Sequence, residues 1–189
     1  LIQSANNGRI PHAQLFVGTE GSGTLPMAIA YAQHIICGNN KANESACHLK
    51  FNNLSHPDLH FAYPVAGTEK VKSHPVSKMF LEDWRNMIKE QPYGNLFDWL
   101  KNLGIQNKQG LIGVDEATEI NKKLALKAYE GGYKVMIIWM ADKMNGPSAN
   151  KLLKLLEEPP AKTVFILISE STSDMLQTIL SRCQVIDFI

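Results

Sequence analysis

Two uninterrupted apolar runs constrain the fold of this chain more than any other feature. One follows Lys134 within residues 134 to 140, with Val135, Met136, Ile137 and Ile138 at its heart; the other lies within residues 163 to 169. A strand with one face in water alternates apolar and polar residues, whereas a strand that is apolar throughout must be covered on both faces. Between them, residues 147 to 158 have helical spacing and stop at Pro159 and Pro160, which disfavour helical backbone just before them. Leu152, Leu153, Leu155 and Leu156 form an apolar stripe there, expected to face the core. Buried strands alternating with helices make an α/β fold: a parallel sheet flanked by helices on both faces.

The rest of the chain extends the pattern unevenly. Residues 15 to 17 read as a strand ending at Gly18, and residues 26 to 36 as a helix with Pro26 tolerated in its first turn. Residues 37 to 60 are polar and read as irregular. Residues 79 to 90 and 95 to 103 read as helices that bury Phe80, Trp84, Met87 and Ile88, then Phe97, Trp99 and Leu100. No basic residues interleave with these aromatics, so a platform for stacking bases is not indicated. Residues 111 to 114 read as a short strand. A helix is expected from Asp115 to about residue 129, ended by the glycines at 131 and 132. Asp115 and Glu116 imitate a catalytic acidic pair, but at a helix start they are expected to cap. A helix over residues 172 to 180 and a strand from residue 184 to the end complete the reading.

A length of 189 residues suits one compact domain. Lys and Arg total 19 against 18 Asp and Glu. That balance lacks the basic excess of a dedicated DNA binder, although it permits a protein that sits beside DNA in a larger complex. No run approaches the roughly 20 apolar residues needed to cross a bilayer, and the first residues lack the apolar core of a signal peptide. A cytoplasmic location with no membrane partner is expected. Cys37, Cys47 and Cys183 are too few and too scattered for a disulfide framework, so reduced thiols are expected. The chain opens at Leu1 and closes in an apolar run, which reads as part of a longer protein.

Gly18 to Gly23 is a glycine-rich loop between a strand and a helix. It has the spacing of a phosphate-binding P-loop, in which backbone amides cradle phosphates, a Lys reaches the outer phosphates and a Ser or Thr holds Mg²⁺. Gly18, Gly21 and Gly23 are present, but the Lys and Ser/Thr positions hold Thr24 and Leu25. Leu25 cannot ligate a cation, and Pro26 removes an amide donor. A helix start still attracts an anion, but ATP binding and hydrolysis are not expected.

Three stretches carry a resemblance. Residues 8 to 18, 150 to 160 (Asn150 through Glu157 and Glu158 to Pro160) and 179 to 184 (with Ser181, Arg182 and Cys183) resemble the delta-prime subunits of the bacterial DNA polymerase III clamp loader, members of the AAA+ family. Residues 134 to 145 are similar to that family's second ATPase strand and its turn. The matches keep the family's order and frame nearly the whole chain; residues 61 to 110 match weakly. The resemblance implies an AAA+ module over residues 1 to 189, with lid and collar domains beyond it. It implies a clamp-loader subunit acting in DNA replication. Its partners would be ATPase motor subunits, a clamp-opening subunit and primed DNA.

The departures are as informative. Active relatives end the second strand with an Asp-Glu pair; here Trp139 and Met140 stand there, and neither can coordinate a hard cation. Two separate parts of the ATP site are therefore replaced. Ser169 or Glu170 stands where the family senses the terminal phosphate, a role idle without ATP. By the same resemblance Arg182 is an arginine finger acting on a neighbour's ATP, with Ser181 and Cys183 fixing its orientation; Arg suits this because it is always charged and matches phosphate geometry. Many relatives carry a four-cysteine zinc module, of which Cys37 and Cys47 would be the first two ligands. The next positions are Lys50 and Asn53, and the spacing of His48 and His56 does not match, so zinc is not expected. The expected activity is a non-catalytic subunit that completes a partner's site. The alternatives are a divergent active ATPase and a nucleotide-binding regulator outside replication.

Overall fold

The apolar runs lie at the centre of a parallel sheet in this computed structural model, which describes residues 1–38, 44–130 and 132–188. After a short helix α1 (Ile2–Asn6) comes strand β1 (Ala13–Val17), then α2 (Thr24–Cys37), α3 (Glu44–Asn52) and β2 (Leu59–Ala62). A 3-10 turn (Ser77–Phe80) leads into α4 (Leu81–Glu90), followed by α5 (Leu96–Asn102) and α6 (Val114–Ala125). The last half is β3 (Lys134–Ile138), α7 (Gly146–Glu157), β4 (Thr163–Ser169), the single turn α8 (Gln177–Leu180) and β5 (Gln184–Asp187). Among the described residues the sheet order is β2-β3-β4-β1-β5, and every pairing is parallel.

Strand alternation divides the interior in two. Phe16, Val135, Ile137, Val164, Ile166 and Ile168 face a core closed by α2, α3, α4 and α5. Leu15, Met136, Ile138, Phe165 and Leu167 face a second core closed by α6, α7 and α8. The expected α/β fold with both faces covered is the fold observed. In the first core Tyr63, Trp84, Trp99 and Trp139 make one aromatic cluster: Tyr63 stacks on Trp84 at 4.1 Å, and Trp84 meets Trp99 at 5.3 Å and Trp139 at 5.1 Å between ring centroids. The indole N–H of Trp99 donates to the Pro64 carbonyl at 2.7 Å, so its polar atom is satisfied in the interior.

Several local expectations are corrected. Within residues 37 to 60, α3 forms and turns Cys47 and Phe51 inward. Residues 111 to 114 form no strand: Leu111 and Ile112 make single bridges to Val65 and Met144. Helix α6 stops at Ala125 rather than near residue 129. There the Lys134 ammonium donates to the carbonyls of Leu124 and Leu126, and the buried Asp58 carboxylate accepts the N–H groups of Tyr129 and Glu130. These distant partners win over local helix propensity. Residues 172 to 180 contribute one turn of helix rather than a full helix. Phe97 is exposed, whereas Trp99 and Leu100 are buried as expected. The leucine stripe faces the second core as expected, with Leu152 and Leu156 buried and Leu153 and Leu155 half-buried against it. Residues 39 to 43, the glycine at 131 and residue 189, up to which the final strand was expected to run, lie outside the described residues.

Asp115 and Glu116 cap nothing on their own helix, whose N-cap is Gly113 without a side-chain bond. Glu116 is instead buried and accepts the Ser77 N–H, thereby capping the 3-10 turn that starts α4. Burial holds its carboxyl above the usual range.

Candidate functional site

The carboxyl ends of β1, β3 and β4 converge, and in open α/β sheets ligand clefts form outside such ends. The loop from Gly18 to Gly23 leaves β1 there. Gly21 and Gly23 have φ of +78° and +83°, a region that only glycine enters freely. Gly23 is the left-handed N-cap of α2. A side chain at Gly18 would stand 2.4 Å from Ser22 Oγ and 2.9 Å from Thr24 Cγ2. The glycine spacing of the P-loop therefore corresponds to a real loop conformation.

Its contents are a different matter. Thr24 and Leu25 are both buried, Leu25 within the first core. Across the loop lie residues 92 to 95, between α4 and α5. A ring carbon of Tyr93 would stand 3.3 Å from a Cβ on Gly23, and the Asn95 amide donates to Glu20 at 3.1 Å. Asn95 also caps α5 through the Asp98 N–H. Trp139, Met140, Ile168, Ser169 and Glu170 line the other sides of a cleft that stays open to solvent and has a free volume of about 30 Å³. That holds a water or two, whereas small-molecule pockets run to roughly 300–1,000 Å³.

The electrostatics point the same way. Partial burial, then Glu20 and Asp142, push the Glu170 carboxyl above its usual range. A carboxylate-lined mouth repels phosphate. Ser169 is buried, its hydroxyl donating to the Ser171 carbonyl at 2.9 Å and lying 3.3 Å from Asp142. Asp142 in turn pairs with Lys143 at 2.6 Å. Trp139 belongs to the aromatic cluster, and Met140 takes a left-handed conformation with φ +53°.

Arg182 lies elsewhere. It follows α8 and is absent from the residues that line the loop cavity. Its Nε donates to Glu157 at 2.9 Å, its Nη2 donates to the same carboxylate oxygen, and its Nη1 donates to the Thr178 carbonyl at 2.7 Å and Ser181 Oγ at 3.2 Å. Ser181 also donates to the Thr178 carbonyl at 3.2 Å. Cys183 packs against the second core, and burial pushes its thiol up to about 11. The arrangement brings together Ser181, Arg182 and Glu157; the spacing of the sequence gives no sign of the last.

The structure corrects the expectation of reduced thiols at Cys37 and Cys47. Helix α3 packs on the end of α2, which sets the two Cα atoms 5.8 Å apart with the sulfurs bonded. Ligand atoms of Cys47, His56 and Glu130 lie within 4.8 Å of one another. A zinc ion does not fit this donor set. The Cys47 sulfur is bonded to Cys37, and His56 Nδ1 accepts the Asp58 N–H at 3.1 Å. That leaves the ring proton on Nε2, the nitrogen facing Glu130 at 3.5 Å, whereas a metal needs a bare nitrogen. Lys50 pairs with Glu130 in the same cluster. Opening the disulfide, which closes a loop with a sequence separation of 10, is expected to lower the unfolding free energy by about 2–3 kcal/mol. Urea midpoints with and without dithiothreitol measure this; coincident curves would show that the bond contributes nothing.

A family model described as DNA polymerase III, delta subunit, matches residues 1–189. The chain belongs to the DNA polymerase III delta subunit family. This delta-family chain is 30% identical over 189 residues to DNA polymerase III subunit delta' of Haemophilus influenzae, covering 98% of the chain and 45% of the relative. It is 30% identical over 191 residues to the subunit delta' of Bacillus subtilis, covering 100% of the chain and 45% of that protein. The chain thus spans less than half the length of these relatives. The delta-family fold is also similar to a crystal structure of a DNA polymerase III gamma subunit-related protein from Thermotoga maritima. There the TM-score is 0.59 at 16% identity, covering 98% of this chain and 45% of that one. Among the described residues no helix is long and apolar enough to cross a membrane.

Proposed function

We propose that this chain is the AAA+ module of a clamp-loader subunit that hydrolyses no ATP itself and completes the ATP site of a neighbouring subunit. The observation that carries this reading is the small volume left at the phosphate loop. Its free volume of about 30 Å³ is bounded by Thr24, Leu25, Trp139 and Met140, with Tyr93 over Gly23. Such a module can contribute to ATP turnover only through a group that points elsewhere, and Arg182 is that group. A guanidinium placed against a transferring phosphate neutralises its developing charge without becoming deprotonated. Ser181 and Cys183 hold its backbone.

In the full-length protein, lid and collar domains would follow the module. Its partners would be the ATPase motor subunits, the clamp-opening subunit and primed DNA, in a cytoplasmic complex that loads the sliding clamp for DNA replication. It would need neither ATP nor zinc as a resident cofactor.

The test has two readouts. Fluorescent ATP titrated with Mg²⁺ onto the module is expected to show no saturation up to millimolar concentration; micromolar, Mg²⁺-dependent binding would overturn this reading. The full-length subunit added to motor subunits, clamp and primed DNA is expected to restore clamp loading. Loading that proceeds equally well without it would sink the assignment.

A further inference from the structure

We propose that Glu157 is the positioning residue for the Arg182 finger. This rests on the reading of Arg182 given above. Glu157 closes α7, where Pro159 and Pro160 end the helix, and Arg182 follows α8. The two lie 25 residues apart in sequence, in stretches that serve no common purpose when read along the chain. The fold joins them.

A guanidinium has five N–H groups, and four contacts engage this one within its own chain. Glu157 takes the edge formed by Nε and Nη2, and the Thr178 carbonyl and Ser181 Oγ take Nη1. Three separate acceptors in two elements fix the plane of the group as well as its place. One N–H, on Nη2, is left without an acceptor among these contacts, and the side chain is 31% exposed. An arginine left free would sample many rotamers, each of which must be given up when it meets a phosphate. A carboxylate on the inner edge removes that freedom in advance. Arg182 and Glu157 keep side-chain exposures of 31% and 49%, so the pair is screened and can relax as a neighbour docks. Its contribution is orientation, and it acts only through Arg182.

The experiment uses the full-length subunit assembled with its ATPase partners, clamp and primed DNA. Glu157→Gln is expected to lower the partner's kcat about two- to five-fold, the loss of one exposed charge-assisted contact, with KM for ATP and assembly affinity unchanged. Glu157→Asp, which keeps the charge on a shorter stem, is expected to recover part of the rate. Adding Glu157→Gln to Arg182→Ala is expected to cost nothing beyond Arg182→Ala alone. A normal kcat in Glu157→Gln, while Arg182→Ala is slow, overturns the positioning role and leaves the finger standing. A faster kcat overturns it too, because Glu157 would then be restraining the arginine. Additive losses in the double variant show that Glu157 acts by another route. If Arg182→Ala itself turns over normally, the finger and the positioning role both fall. Thermal melting of each variant separates these outcomes from misfolding.

Discussion

Arg182→Ala is expected to slow ATP turnover by the neighbouring subunit about a thousand-fold, the lower end of what an arginine finger supplies, while the assembly forms normally. The ordinary alternative is that Arg182 merely pairs with Glu157 on the surface, and the two readings differ by orders of magnitude. A part-exposed ion pair contributes about 0–1 kcal/mol, so removing it barely moves the melting temperature of the module. A finger lost from a phosphoryl-transfer site costs roughly 4 kcal/mol of transition-state stabilisation, since each tenfold in rate is about 1.4 kcal/mol. The expected variant is therefore stable, assembled and slow. Arg182→Lys separates the contributions of charge and shape, because an ammonium keeps the charge but cannot fork across two acceptors. Single-turnover ATP hydrolysis in the assembled complex measures all three proteins. A turnover within two-fold of the parent for Arg182→Ala would remove the finger.

The second large effect concerns stability. On the proposed reading Trp139 stands where an ATPase would place a cation-binding carboxylate, so Trp139→Asp looks on paper like a repair. It is expected to destabilise the module by more than about 4 kcal/mol and to leave it unable to bind Mg²⁺-ATP. Trp139 is 3% exposed and packs on Trp84, 5.1 Å between centroids. Removing a buried tryptophan costs about 3–5 kcal/mol, and an unpaired carboxylate in its place adds desolvation. Native domains are stable by only about 5–15 kcal/mol, so the variant is expected to be largely unfolded near body temperature. Trp139→Phe keeps an aromatic ring and is expected to cost much less. Urea unfolding followed by tryptophan fluorescence gives both values. An Asp variant as stable as the parent would show that the aromatic cluster is not what holds α4 and α5 against the sheet.

Legibility in the sequence followed the range of the forces involved. β4 was readable because one strand's composition records its burial on both faces, and the glycines of the phosphate loop because backbone conformation demands them. The end of α6 was hidden: Lys134 and Asp58 decide it from distant positions, and no local signal marks them. The narrowing of the loop by Tyr93 and Asn95 was equally hidden, since residues 92 to 95 reach Gly23 only through packing of α4 and α5. Cys37 and Cys47 looked like stray thiols until an unforeseen α3 placed them side by side. Glu157 was legible only as part of the stretch over residues 150 to 160, and only the turn at α8 gives it a guanidinium to hold.

The narrow phosphate loop also bears on time. A motor whose pocket fills and empties passes through distinct states, and its neighbours can read them. On the proposed reading, a loop that takes no nucleotide offers one state, so a partner resting on this face would meet an unchanging surface through every round of turnover. On this reading the rhythm of the assembly is set entirely across the junction, and this subunit is the fixed wall against which the moving parts are timed.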